Sequence, residues 1–340
     1  MTQSSSTAPA GQAERRVTFD DLRIDAGSEI ERIGFFIKNA LVTDLKKRGA
    51  VIALSGGIDS SVTAALCVAA AGNDRVAGLL MPERHSSEDT SRLGRLAAET
   101  LGIRYFEHDI TDILQAAGCY SSQDEAIRSV VPDYTPGCPF KITLPHISGA
   151  GSYRLFSLTV QMPDGTVRKE RMSHEAYLQL VAATNYKQRV RKIIEYYYAD
   201  RFNYAVAGSP NRLEYDQGFF VKSGDGAADF KPIAHLYKTQ VYAIAEKLNI
   251  PEEIRKRPPT TDTYPMEQSQ EEFYFSLPYH KMDLCLYALN KGLGPESVCD
   301  TADLTPEQAS YVFNDILTKR KTTKYQHLKP LLVEDIPGAG

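Results

Sequence analysis

The first sustained hydrophobic period in the chain is helical. In IERIGFFIKNALVTDLKK, Ile30, Ile33, Phe36, Ile37, Ala40 and Leu41 share one face, and the spacing predicts helix within residues 17–49. The short apolar run GAVIALS then reads as a buried strand, and IDSSVTAALCVAAAG as a helix ending at Gly72. RVAGLLMP predicts a second strand, Ser87 to Gly102 a helix, and IRYFEHDI a third strand. Strand, helix, strand, helix, strand at this spacing predicts an α/β fold: a doubly wound, Rossmann-like parallel sheet covered by helices.

The pattern changes near Gly118. Up to Pro163 the chain is rich in Pro and Gly, with strand-like FKITLP and YRLFSLTVQM beside the turn PDGT. This predicts a β-rich insertion over about residues 118–181. A long helical pattern resumes in SHEAYLQLVAATNYKQRVRKIIEYYYADRF and feeds the strand NYAVAGS. YKTQVYAIAEKLNI is an amphipathic helix closed before Pro251, and EEFYFSLPYHKMDLCLYALNKG and TPEQASYVFNDILTKRKTTK make a helical C-terminal part. The expected organisation is a disordered Ser/Ala-rich tail at 1–16, one domain over 17–330 carrying the insertion, and a short tail at 331–340.

Composition narrows the class. A chain of 340 residues with 42% hydrophobic and 24% charged residues fits an ordinary globular protein. The net charge of −4 gives no general pull toward nucleic acid or anionic lipid. No run approaches the roughly 18 apolar residues of a membrane span, and the N-terminus lacks the basic-then-apolar pattern of a secretory signal. The five cysteines (Cys67, Cys119, Cys138, Cys285 and Cys299) are odd in number, with no pair at CxxC spacing. Neither a disulfide framework nor a zinc site is indicated, and thiols in a reducing cytoplasm are expected.

The chemistry concentrates at one corner, SGGIDSS, between the first strand and its helix. A strand that turns directly into a helix aims the first-turn N–H groups and the positive helix end at the sheet's carboxyl edge. Gly56 and Gly57 let an anion approach the backbone, and Ser55, Ser60 and Ser61 add hydroxyls. Asp59 would repel phosphate directly, but makes sense if a divalent cation bridges them, as Mg²⁺ commonly does. Read without a ligand, the same corner is a glycine turn whose Ser or Asp only starts the helix. The chain has neither GxxxxGK[ST] nor GxGxxG there.

SGGIDSS resembles the SGGxDS signature of the ATP pyrophosphatases, which split ATP between its α and β phosphates. LLMPERHSSEDTSRLGRLAAETLGI and GSPNRLEYDQGFFVKSGDGAADFKPIAHLYKTQVYAIAEKLNIPEEIRKRPPTTD are similar to the ammonia-dependent NAD synthetases, whose pattern runs GTDxxE…GFFTKxGDGxxD…LxK…PT. The resemblance covers about residues 27–117 and 182–330. It implies an adenine nucleotide alpha hydrolase-like fold.

It also implies roles. Ser55, Gly56, Gly57, Ile58, Asp59, Ser60 and Ser61 would hold the ATP phosphates, joined by Met81, Ser209, Lys238 and Thr260. Asp59 and Glu214 would be the catalytic Mg²⁺ carboxylates. Arg189, Lys222 and Asp229 would hold the acid substrate, and Lys324 falls near the family's substrate-contacting His-Lys pair. Without the resemblance, Glu214 is a surface acid, Lys238 a helix-surface lysine, Thr260 a loop threonine and Met81 a core residue. Arg191 and Lys192 read as an ordinary basic helix face. The sequence departs from the family at Ser209-Pro210, at Lys324-Tyr325 and in the insertion.

The implied reaction is adenylation of a carboxylate by ATP, followed by attack of ammonia and loss of AMP. Its expected substrates are deamido-NAD, ATP and ammonia, the last either free or from a separate glutaminase, and a homodimer is expected. His85 is a weak candidate for handling the ammonium proton. Three other functions compete: amidation of a different acid, tRNA thiolation, and nucleotide sensing without catalysis. The acidic balance and the absence of CxxC disfavour the tRNA reading, and the paired carboxylates disfavour the sensor.

Overall fold

The structure, a computed structural model, describes residues 15–143, 156–260 and 263–336. Residues 1–14 of the N-terminal tail, residues 144–155 with the end of FKITLP and the start of YRLFSLTVQM, residues 261–262 and residues 337–340 lie outside the described residues. The elements run α1 (Ala26–Asn39), β1 (Ala50–Ala53), α2 (Ile58–Ala71), β2 (Val76–Leu80), α3 (Glu88–Thr100), β3 (Arg104–Glu107), α4 (Thr111–Ala116) and α5 (Cys119–Arg128). Then come β4 (Phe140–Thr143), β5 (Ser157–Gln161), β6 (Val167–Arg171), α6 (His174–Phe202), β7 (Ala205–Val206) and α7 (Arg212–Gln217). The chain ends with α8 (Lys238–Lys247), α9 (Glu252–Lys256), α10 (Tyr279–Asn290), α11 (Cys299–Ala302) and α12 (Pro306–Thr323).

The main sheet is parallel, in the order β3-β2-β1-β7. Alternation along β1 divides the core. Ile52 and Leu54 face a layer holding Ile37 of α1, Leu66 of α2 and Ile244 of α8, whereas Val51 faces Leu114 of α4 and Tyr198 of α6. Helices on both faces explain why the strands read as continuous apolar runs. The α2 helix is sandwiched between the sheet and α1 and α8, so Val62, Thr63, Ala64, Leu66 and Cys67 are all buried, and its sequence has little polar face.

The excursion between α4 and α6 is more mixed than its composition predicts. It opens with α5 and closes with the first two turns of α6, whose N-cap Ser173 accepts from the Ala176 N–H. Between them β4, β5 and β6 form a three-stranded antiparallel sheet. The Asp164-Gly165 turn joins β5 to β6, with Gly165 at φ +84°. Phe140, Ile142, Leu158 and Val160 pack on Leu180 of α6 and Ile127 of α5, while β6 is exposed throughout. Among the described residues of the excursion, the strands are confined to 140–143, 157–161 and 167–171. Residues 17–49 likewise hold less α-helix than predicted, with a 3₁₀ turn at Phe19–Leu22 before α1 and a π-type turn at Ala40–Asp44 after it.

Two features position the site. The 29-residue α6, about 43 Å long at 1.5 Å per residue, carries side chains from the small sheet to β7. The C-terminal helices form their own apolar cluster around Met282, Leu286, Val312 and Phe313. Gly218, at φ +73°, lets the end of α12 close on α7: a Cβ there would lie 2.3 Å from that of Thr323. Arg320 of α12 also forks onto Asp216 of α7 at 2.5 and 2.8 Å.

Candidate active site

In the main sheet the chain leaves β1 toward β2 and β3, then returns on the other side as β7. The carboxyl ends of β1 and β7 therefore flank the point where strand order reverses, where open α/β sheets place their ligands. A cavity of about 650 Å³ opens there.

The corner after β1 is built around Gly56, at φ +69°. A Cβ would meet Leu93 at 2.7 Å and the Thr90 carbonyl at 2.9 Å, so only glycine allows the turn to pack on α3. Gly57 is the N-cap of α2 and has no side chain to cap it, which leaves the first-turn N–H groups available to an anion. The Ser60 and Ser61 hydroxyls both donate to the Gly57 carbonyl, at 3.0 and 2.9 Å, and brace the turn.

Asp59 projects from the first turn of α2 toward α7 and α8. One carboxylate oxygen accepts from the Asn211 side-chain amide at 3.0 Å, and the other is ion-paired with Lys238. Glu214 accepts from the Asn211 backbone N–H at 3.0 Å and from Gln270 at 3.1 Å, while the Asn211 side chain accepts from the Glu214 N–H. Asn211 and Glu214 thus form the capping box of α7, and the same Asn211 tethers Asp59. Burial and the nearby Asp59 charge push the Glu214 carboxyl up to about 8, against the opposing pull of Lys238. Burial opposes the charge on Lys238, but the carboxylates of Asp59 and Glu214 outweigh it and raise its pKa. Two carboxylates face one ammonium.

Lys187, Lys192 and Lys319 on the cavity wall are paired with Glu83, Glu195 and Asp315, but Arg189, Lys222 and Arg191 have no carboxylate partner among the described residues. Arg189 donates to the Lys222 carbonyl at 3.4 Å, Lys222 donates to the Tyr325 carbonyl at 2.9 Å, and Arg191 donates to the Met81 carbonyl at 3.2 Å. Such groups suit an anionic occupant. The small sheet and its neighbours supply the apolar wall: Phe156 stacks on Tyr177 with centroids 3.8 Å apart, near Tyr264 and Phe273.

Of the residues singled out in the sequence, Ser55, Gly57, Ile58, Asp59, Ser60, Met81, Arg189, Ser209, Glu214, Lys222, Lys238 and Thr260 line this cavity. Gly56 and Ser61 stand behind them as supports. Asp229 and Lys324 do not line it. Asp229 accepts from the Val206 N–H at 2.7 Å and from the Tyr196 hydroxyl at 3.3 Å, which fixes the end of β7.

Three sequence readings change. Lys238 is 2% exposed and no surface lysine. Arg191 and Lys192 are not a solvated basic face: both line the cavity, and Lys192 is buried against Glu195 at 2.8 Å. His85 lies off the cavity wall, its Nδ1 accepting from the Lys187 ammonium at 3.1 Å, and burial followed by the Lys187 charge lowers its pKa to about 4. It is poorly placed to handle a substrate proton.

Sequence reasoning missed several members. Asn211 carried a signal in the N-x-x-E spacing of a capping box, whereas Gln270 carried none. Lys187 pairs in the interior with Glu83 at 2.8 Å and donates to the Thr263 carbonyl at 2.8 Å. It thereby ties the loop after β2 to the loop beyond Thr260. Asp283 of α10 accepts from the Lys238 and Thr239 N–H groups at 3.1 and 2.7 Å, capping α8 from outside.

The sequence model of the NAD synthase family matches residues 29–131 and 157–327, and the gap falls in the excursion. The chain is 56% identical over 315 residues to the NH(3)-dependent NAD(+) synthetase of Mesorhizobium japonicum, covering 93% of this chain and 99% of that one. It is 55% identical to the enzyme of the same name from Rhizobium meliloti, covering 95% and 97%. Among solved structures, the NH3-dependent NAD synthetase of Campylobacter jejuni superposes with a TM-score of 0.60 at 22% identity, covering 92% of this chain and all of that one. The NMN synthetase of Francisella tularensis gives the same figures, and both likenesses speak to the fold. Sheet order, corner and sequence agree: the chain belongs to the NAD synthase family.

Proposed function

We propose that this chain converts deamido-NAD to NAD, using ATP and ammonia and releasing AMP and pyrophosphate. The observation that carries the reading is the meeting of Asp59, Glu214 and Lys238 beside the uncapped start of α2, in a cavity whose other cations suit an acid substrate. The close relatives named above support the same assignment.

In the first half-reaction an oxygen of the substrate carboxylate bonds to the α-phosphorus as the bond to the α,β-bridging oxygen breaks. Ammonia then bonds to the carbonyl carbon and AMP leaves. The first-turn amides of α2 and the Ser55 and Ser60 hydroxyls hold the phosphates, Lys238 and Thr260 flank them, and Arg189 and Lys222 orient the acid. Met81 marks the adenine side, and Ser209 offers a hydroxyl. Asp229 and Lys324 act on the substrate only indirectly, through β7 and the end of α12.

Asp59 and Glu214 would hold Mg²⁺. The donor set fits: two adjacent carboxylates are balanced by a single ammonium, and Mg²⁺ is usually held by one or two carboxylates plus phosphate oxygens. When bound, the ion neutralises developing phosphate charge.

Residues 17–330 act as one unit, since one cavity is lined by the main sheet, by Phe156 just before β5 and by α6 and α12. The exposed Tyr186, Ile193 and Tyr197 on α6, beside Arg189, support a homodimer. The nitrogen is ammonia, free or handed over by a separate glutaminase. Five unpaired cysteines, four of them buried, support a reducing cytoplasm.

The test is pyrophosphate release by the purified chain with ATP, Mg²⁺, ammonium and a panel of carboxylic acids. Release with deamido-NAD, accompanied by NAD, is expected. Release with another acid and none with deamido-NAD would refute the substrate.

A further inference from the structure

Arg257 follows α9 and precedes Pro258, Pro259 and Thr260, all on the cavity wall. Its guanidinium bridges three segments of the phosphate corner. One terminal nitrogen donates to the Ser55 carbonyl at 3.3 Å, and the other to the hydroxyls of Thr90 at 3.0 Å and Ser87 at 3.4 Å. These acceptors are neutral, and among the described residues no carboxylate pairs with Arg257. Neighbouring arginines differ: Arg92 pairs with Asp89 and Glu253, and Arg95 with Glu107. An arginine that only braced the corner would need no net charge there. This one holds a permanent cation against the loop that begins the anion cradle, in a fork that fits phosphate oxygens. It also sits on the Ser55 side of the cradle, whereas Lys238 guards the Asp59 side.

We propose that Arg257 is a catalytic residue of adenylation, whose guanidinium contacts the β- and γ-phosphates of ATP and the pyrophosphate they become. This rests on the reading of the cavity as a site of ATP-dependent adenylation. When the α-phosphorus bond to the bridging oxygen breaks, the electron pair stays on that oxygen, and the leaving pyrophosphate takes up the charge. A fixed guanidinium there favours the transition state over the ground state. Its hydrogen bond to Ser55 sets the fork at the mouth of the cradle before ATP arrives.

The experiment titrates magnesium pyrophosphate calorimetrically into the full chain, its Arg257→Gln variant and its Arg257→Lys variant, with melting temperatures recorded for each. Pyrophosphate should bind about tenfold or more weakly to Arg257→Gln, with a partial return in Arg257→Lys, which keeps the charge and loses the fork. In turnover, kcat/KM for ATP should fall about 100-fold in Arg257→Gln while KM for the acid stays unchanged. Unchanged pyrophosphate affinity in folded Arg257→Gln, or in Arg257→Lys should the glutamine variant not fold, would overturn the proposal and leave a structural brace. A wild-type chain that binds pyrophosphate through Arg257 yet forms no NAD would instead overturn the substrate assignment alone.

Discussion

The Lys238 ammonium lies against the Asp59 carboxylate, although 179 positions separate the two in the chain. One residue opens α8 and the other lies in the first turn of α2, so the pair joins the two sides of the strand-order reversal. It also decides the electrostatics, because Glu214 shares the same ammonium.

Replacing Lys238 by Met removes the only cation facing two neighbouring carboxylates among the described residues. With Lys238 2% and the Asp59 side chain 16% exposed, breaking the pair should destabilise the chain by about 3 kcal/mol. Pyrophosphate release should fall at least as severely as the melting temperature. Thermal melts and the release assay check both, and a stable, active Lys238→Met chain would contradict the arrangement.

Glu214 makes stability and ligand binding depend on pH. Its folded pKa of about 8 lies above the ordinary 4.5, so the stability it contributes is full below pH 4.5 and is lost as pH rises through 8. Glu214→Gln should therefore stabilise the ligand-free chain more at pH 9 than at pH 5. A cation favours the ionised form, so binding of Mg²⁺ and ATP at pH 7 should release a proton. Calorimetry in buffers of different ionisation enthalpy measures that proton, and Glu214→Gln should abolish it.

Among the described residues the hydrogen bonds of Asp283 reach the cavity lining only at the backbone of Lys238, so it acts by positioning. Asp283→Ala leaves two α8 N–H groups without their acceptor, which should cost about 1–2 kcal/mol. Burial raises its carboxyl to about 7, so this cap weakens the fold as pH rises from 3.8 through 7, even though the carboxylate accepts better once ionised. KM for ATP should rise in Asp283→Ala and recover in Asp283→Asn. Equal KM in all three would restrict Asp283 to stability.

Phe156, just before β5, and Tyr177 of α6 bring the excursion to the cavity wall. Phe156→Ala removes one ring of the stack, worth about 0.5–1.5 kcal/mol beyond its buried area. KM for the acid substrate should increase several-fold, with that for ATP unchanged. A change confined to ATP would place the nucleotide, and not the acid, against this wall.

The β1–α2 corner was legible because its demands are local: a Gly at positive φ, a helix start, an acid in the first turn. Glu214 and Lys238 were legible only through motif spacing, since nothing in a helix-surface carboxylate or lysine announces that it is buried. The excursion misled in the other direction. Its Pro, Gly and strand-like runs predict β-structure from Gly118 on, yet CYSSQDEAIR forms α5 against α6 by tertiary packing, whereas the helix that Ser173 caps was legible in its own periodicity. Lys192 was misjudged because its partner, Glu195, is a turn away on the same helix, and such pairs usually lie in solvent.

The pairing of β7 with β1 spans only Ala50 with Ala205 and Val51 with Val206. Every residue that answers Asp59 is synthesised after that seam, so a nascent chain that has made the first three strands holds a phosphate turn without its counter-charges. Competence for ATP thus arrives late in translation, when the last strand docks and α7 and α8 follow it into place. A fragment ending before residue 205 would be a nucleotide cradle with nothing to work it.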